Sequence, residues 1–213
     1  MQVEVWSDIV CPWCYIGKRR LERALELFEH SDRVRVRWRS FQLDPSFPAG
    51  VSEPVYDSLS RKMGAPLEQV RSMTEQVTQV AAQEGLDYDF AGGVMVNTFD
   101  VHRLIHLART RGLEARAQEG FMRAQLVQAR DLSDTAVLVE VAAGVGLDSQ
   151  EVRRVLEGGE YAEDVREDIA LARRLGATGV PFFVMDRAVG ISGAQSVDVM
   201  VSALDKAYQA GRG

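Results

Sequence analysis

The sequence predicts an α/β fold whose two ends share one sheet and whose middle is a long helical insertion. Three observations carry this. Residues 1–45 read strand–helix–strand, residues 177–213 read strand–strand–helix, and residues 46–176 between them are helical in period. A chain of 213 residues can bury one large core, or a core carrying such an insertion.

The first strand is Val3 to Trp6. A helix follows from about Pro12 to about His30, with Leu21, Ala24, Leu25 and Phe28 on one face. The second strand alternates Val34, Val36 and Trp38 inward with Arg35, Arg37 and Arg39 outward, the pattern of an edge strand with one polar face. Two such strands joined by a helix form a right-handed parallel unit. A connection rich in breakers follows, with Pro45, Pro48, Gly50 and Pro54.

In the helical block, Leu67, Val70, Met73, Val77 and Val80 make one stripe, opened by Pro66 and closed by Gly85. Further helices start near Asn97-Thr98, after Ser133-Asp134, and at Asp148, where Glu151 completes a capping-box pattern. A last one runs from about Tyr161 to Leu175. Val180 to Met185 then reads as a buried strand, Asp186-Arg187 as a turn, and Val189 to Ser192 as its hairpin partner. The final helix uses Val197, Met200, Val201, Leu204 and Tyr208, and the tail Gly211-Arg212-Gly213 is expected to fray. This order is that of a thioredoxin fold interrupted by a large all-helical domain.

Net charge is −6, from 25 basic and 31 acidic residues, and the arginines are scattered. A nucleic-acid surface is not expected. No apolar run spans a bilayer. Met1-Gln2-Val3-Glu4 lacks a basic region followed by an apolar one, so a cytoplasmic location is expected. A lone Cys-x-x-Cys is more often catalytic than structural there.

The two cysteines of the chain stand in Cys11-Pro12-Trp13-Cys14, directly before the first helix. That spacing places both sulfurs about one turn apart at a helix start. The free N–H groups and the dipole of the helix stabilise a thiolate there, so the Cys11 pKa is expected to fall. Pro12 has no N–H to lose in the first turn. Cys11 is thus the candidate nucleophile, and Cys14, deeper, the resolving thiol. The bland alternatives are two inert core thiols or a structural zinc pair. His102 and His106, spaced i, i+4, could complete a Cys₂His₂ set, although nothing local brings their helix to the cysteines. Asp8 either tunes the thiol or pins its loop. Asn97 or Thr98 reads as an N-cap, and Gly193-Ala194-Gln195 as a turn whose backbone approaches a ligand.

Four segments in this order carry a resemblance: Asp8 to Gly17, Asn97 to Arg103, Gly179 to Phe183, and Ser192 to Gln195. On them the chain resembles the DsbA-like thioredoxin family and, within it, the FrnE-type proteins. The resemblance implies a thiol–disulfide oxidoreductase or isomerase with Val180–Pro181 as a cis peptide facing the cysteines. It further implies that Val180 offers backbone groups to an extended substrate, a strand-addition mode. Pro12, Trp13, His102 and Gln195 would join Val180 in the substrate groove, roofed by the helical block, while His106 is expected to be only partly buried.

No organic cofactor or metal is called for. Substrates would be protein or peptide thiols and disulfides, with glutathione or thioredoxin recycling the pair. Trp13 stands where DsbA carries a histidine, which should make this pair less oxidising. One rival is a glutathione-dependent isomerase of an aromatic or polyketide-like compound, akin to hydroxychromene-carboxylate isomerases and kappa-class transferases. Those relatives usually place serine at the position of Cys11. A second rival is a non-enzymatic binding module.

Overall fold

The computed structural model describes residues 1–211. The expected fraying of Arg212 and Gly213 lies outside the described residues. The elements are β1 (Gln2–Ser7), α1 (Pro12–Leu27), β2 (Arg35–Ser40), β3 (Ser52–Pro54), α2 (Val55–Met63), α3 (Leu67–Gln83), β4 (Val94–Val96), α4 (Phe99–Thr110) and α5 (Glu114–Leu126). They continue with α6 (Thr135–Val145), α7 (Ser149–Glu157), α8 (Ala162–Arg174), β5 (Phe182–Met185), β6 (Val189–Ser192) and α9 (Val197–Ala210).

The chain forms two compact units. One is split in sequence, residues 1–43 with 166–213; the other is inserted, residues 44–165. The sequence reading draws its second boundary at 176/177, whereas the compact units divide inside α8.

In the split unit one sheet runs β2-β1-β5-β6, so both ends of the chain share it as expected. β1 is parallel to β2 and antiparallel to β5, and β6 closes an antiparallel hairpin. The period of two along each strand sends alternate residues to opposite faces. Val3, Val5, Phe183 and Met185 join Leu21 and Ala24 of α1 and Met200 and Leu204 of α9 in one core. Trp6 and Val184 pack on the other face with Ala172 of α8.

α1 stops at Leu27 rather than near His30. Phe28 turns extended (ψ 121°) and buries its ring edge-on against Tyr208. The three arginines of β2 do not form one free polar face. Arg39 reaches inward to Glu4 Oε1 (Nη2, 2.5 Å) and Asp168 Oδ1 (Nη1, 2.8 Å), which are 4% and 2% exposed.

The inserted unit is not wholly helical: β3 and β4 pair antiparallel, Ser52 opposite Val96. Gln125 Nε2 of α5 donates to Val94 O (2.5 Å) and Ser52 Oγ to Asp131 Oδ2 (2.6 Å). On α3 the apolar stripe is buried only in part. Leu67 and Met73 are more than 40% exposed, and the buried positions are Val70, Thr74 and Ala81. Asp148 caps α7 by accepting from Gln150 and Glu151 N–H, but Glu151 itself pairs with Arg111, so the box is half made. Carbonyls at and just beyond the C-terminal end of α7 are held by buried Arg103. Its Nε donates to Glu160 O (2.8 Å), and its Nη2 to Gly158 O (2.6 Å) and Val155 O. Among the described residues no helix is long and apolar enough to cross a membrane.

Candidate active site

Cys11 is the N-cap of α1, with φ −87° and ψ 111°, and Pro12 is its first helical residue. The approach is a tight turn: Cys11 N–H donates to Asp8 O (3.1 Å) and Cys14 N–H to Cys11 O (3.0 Å). Asp8 is buried, and its Oδ2 accepts Leu43 N–H (2.8 Å), which favours the loop-pinning role. Both thiols are free and buried, Cys11 at 4% and Cys14 at 1% exposure. Cys11 is therefore not the open thiol that its place at the helix start suggests. Trp13, between them, is the exposed residue at 40%.

The Val180–Pro181 peptide is cis, the isomer the resemblance implies. The Cys11 thiol donates to Val180 O at 3.6 Å, so the helix start and the cis-proline segment meet at the sulfur. Pro181 is buried and Val180 half-buried. Pro181 O in turn accepts Gly193 N–H (2.8 Å), which places the 192–195 loop beside the same segment. Gln195 is exposed, with Nε2 donating to Ser192 O (2.9 Å), while Ser196 caps α9 through Val199 N–H.

Cys14 is held well above its ordinary value of 9.0. Burial is the main cause, and the hydrogen bond and charge of the neighbouring Cys11 add to it. The Ser7 hydroxyl and the Asp8 backbone N–H bond to the same sulfur and pull the other way. Burial thus favours the protonated thiol at Cys14.

The structure brings together Cys11, Cys14, Val180, Pro181 and the 192–195 loop. His102 belongs to the inserted unit, 2% exposed in α4. His106 is also fully buried there rather than partly so, with Nδ1 3.9 Å from Asp164 Oδ1. Asn97 acts as a cap, its Oδ1 accepting Phe99 N–H (2.9 Å), while Thr98 at the N-cap position makes no such bond. Among the described residues no three His, Cys, Asp or Glu side chains gather to hold a metal.

Two residues of this neighbourhood escaped the sequence reading, Ser7 and Arg20, whose Nη1 donates to Ala194 O (2.5 Å), and Gly17 was quoted there without a role. Ser7 and Arg20 carry no local signal, since their partners lie on other elements. Gly17 carries one, a glycine in the second turn of a helix.

The family described as the DSBA-like thioredoxin domain matches residues 2–205. A probable DsbA oxidoreductase of Streptomyces coelicolor, SCO1869, is 46% identical. It superposes with a TM-score of 0.95 over 98% of this chain and 90% of its own. The cytosolic disulfide reductase DsbM of Pseudomonas aeruginosa (20%, TM-score 0.64, 99% and 100% covered) shares the fold. So does a 2-hydroxychromene-2-carboxylate isomerase (14%, TM-score 0.69, 100% and 98% covered).

Proposed function

The chain belongs to the DsbA-like thioredoxin family, and from that premise we propose that it is a thiol–disulfide oxidoreductase acting on protein or peptide thiols through Cys11 and Cys14. One observation carries the reading: the Cys11 sulfur sits at the N-cap of α1 and on the carbonyl of Val180 at once. A nucleophilic sulfur needs a cationic or dipolar surrounding, which the helix start supplies. Its substrate needs a backbone to align with, which Val180 supplies.

In the reducing direction, Cys11 gives up its proton and attacks one sulfur of a substrate disulfide, releasing the other as a thiolate that takes up a proton. Cys14 then attacks Cys11 Sγ. The Cys11–Cys14 bond forms, the mixed disulfide breaks, and the second substrate thiol leaves with the proton of Cys14. Two electrons pass to the substrate, and the oxidising direction is the reverse. The raised pKa of Cys14 suits this order, because burial keeps the resolving thiol protonated while Cys11 attacks. Trp13 and Gln195 flank the segment as exposed contacts for substrate. With neutral Trp13 in place of a cation, the pair is less oxidising than that of DsbA.

We assign the reaction to the cytoplasm, with glutathione or thioredoxin as the recycling thiol. A form of the Pseudomonas DsbM with GSH supports a glutathione route in this fold. The test is a titration through glutathione redox buffers, read by alkylating the remaining thiols and weighing the protein. A reversible two-electron transition is expected, with a midpoint set against the cytosolic poise of about −220 to −320 mV. Cys11→Ser should abolish the transition and slow disulfide exchange by more than about a thousandfold, because an alcohol replaces the thiolate nucleophile. No transition, with glutathione turnover on an aromatic compound instead, would move the protein to the isomerase reading.

A further inference from the structure

Resting on that reading, we infer that Gly17 is a positioning residue: its missing side chain sets the spacing between the redox helix and the Val180–Pro181 segment, and so fits the site to an extended peptide disulfide. A Cβ placed on Gly17 would stand 3.0 Å from Pro181 Cγ and 3.2 Å from Phe183 Cζ. Both are closer than side-chain carbons normally approach. Helix propensity does not explain a glycine here, since alanine is the better helix former. Close approach of the Pro181 ring and the Phe183 ring does.

The neighbours have little room to yield. Phe183 is fully buried in the core between the sheet and α1. Pro181 is tied through its carbonyl to Gly193 N–H, and the next residue of that loop, Ala194, is tied to Arg20 of α1. Trp13, Gly17 and Arg20 stand at i, i+4 and i+7, one face of one helix. That face therefore both presses on the proline and holds the loop behind it. An added methyl group has to displace the Pro181 and Phe183 rings by a few tenths of an ångström, and Pro181 directly follows the Val180 carbonyl that the Cys11 thiol touches. Gly144, late in α6 of the inserted unit, is the contrast: a Cβ there meets nothing within 4 Å.

The test compares two probes on the full-length reduced protein. Hydroxyethyl disulfide has no backbone to align, whereas a fluorescence-quenched extended peptide disulfide does. Gly17→Ala is expected to lower the ratio of peptide to small-disulfide exchange rates about tenfold, through a raised KM for the peptide. Gly144→Ala should keep the wild-type ratio. Arg20→Met, which frees the loop from the other side, should lower the ratio about threefold and serves if Gly17→Ala folds poorly. An unchanged ratio in Gly17→Ala and Arg20→Met, or an equal fall in Gly144→Ala, overturns the inference. Failure of the wild type to exchange with either probe overturns the oxidoreductase reading itself, and the inference with it.

Discussion

Each unit holds an arginine against its interior, half-buried Arg39 in one and buried Arg103 in the other, and the two are satisfied in opposite ways. In the split unit Arg39 lies between two buried carboxylates, Glu4 on β1 and Asp168 on α8. In the inserted unit Arg103 lies among the carbonyls of Val155, Gly158 and Glu160, with only the half-exposed Asp100 as a charged partner. The first uses charge to join segments far apart in sequence beneath the strand that leads into the cysteines. The second closes the end of a helix, where a cation meets the negative pole of the dipole. Charge pairing therefore ties the sheet of the split unit to α8, and the inserted unit uses its cation to close a helix end.

Three experiments break or sharpen that contrast. Arg39→Met strands two buried carboxylates and should cost about 4 kcal/mol at pH 7 by urea denaturation. A loss below about 1 kcal/mol would show that charge is not what Arg39 balances. Arg103→Met strands carbonyls that cannot titrate. It should cost about 3 kcal/mol, the same at pH 5 and pH 8, and a loss below about 1 kcal/mol would mean that water replaces the guanidinium.

The smallest effect is alkaline. The folded state holds the Cys14 proton above 9.0, so the unfolded chain ionises first. The contribution of Cys14 is complete below pH 9 and declines above it, by at most about 1.4 kcal/mol per pH unit. The inserted unit has no cysteine. Reduced wild type should therefore lose stability faster than Cys14→Ala between pH 9 and 10, and parallel curves would show that the thiol is not held.

What the sequence revealed follows the range of each interaction. β1, the start of α1 and the β5–β6 hairpin are written locally, in alternation, in a proline at the first helical turn, and in a two-residue turn. Both turn residues, Asp186 and Arg187, take positive φ, as a hairpin twist requires. β3 and β4 are too short to show a period, and their pairing depends on the residues that flank α2 and α3. α5 follows α4 so closely, with Leu113 at its N-cap making no side-chain bond, that no start signal separates them. The burial of Cys11 and the pairing of Arg39 with Asp168 are set by strands and helices that meet only in the folded chain. Gly17 was visible as a letter, but its reason lies at Pro181.

All three tryptophans, Trp6, Trp13 and Trp38, lie in the split unit, while the inserted unit carries Tyr56, Tyr88 and Tyr161. Trp6 and Trp38 are buried and Trp13 is open to solvent. Indole emission is therefore blind to half of the molecule, whereas far-ultraviolet dichroism sees the helices of both. Iodide, which reaches only exposed rings, should quench the signal of Trp13 and leave a blue remainder from the sheet. The chain thus carries its own optical separation: one colour for the neighbourhood of the sulfurs, one for the strands beneath them, and silence for the helices between.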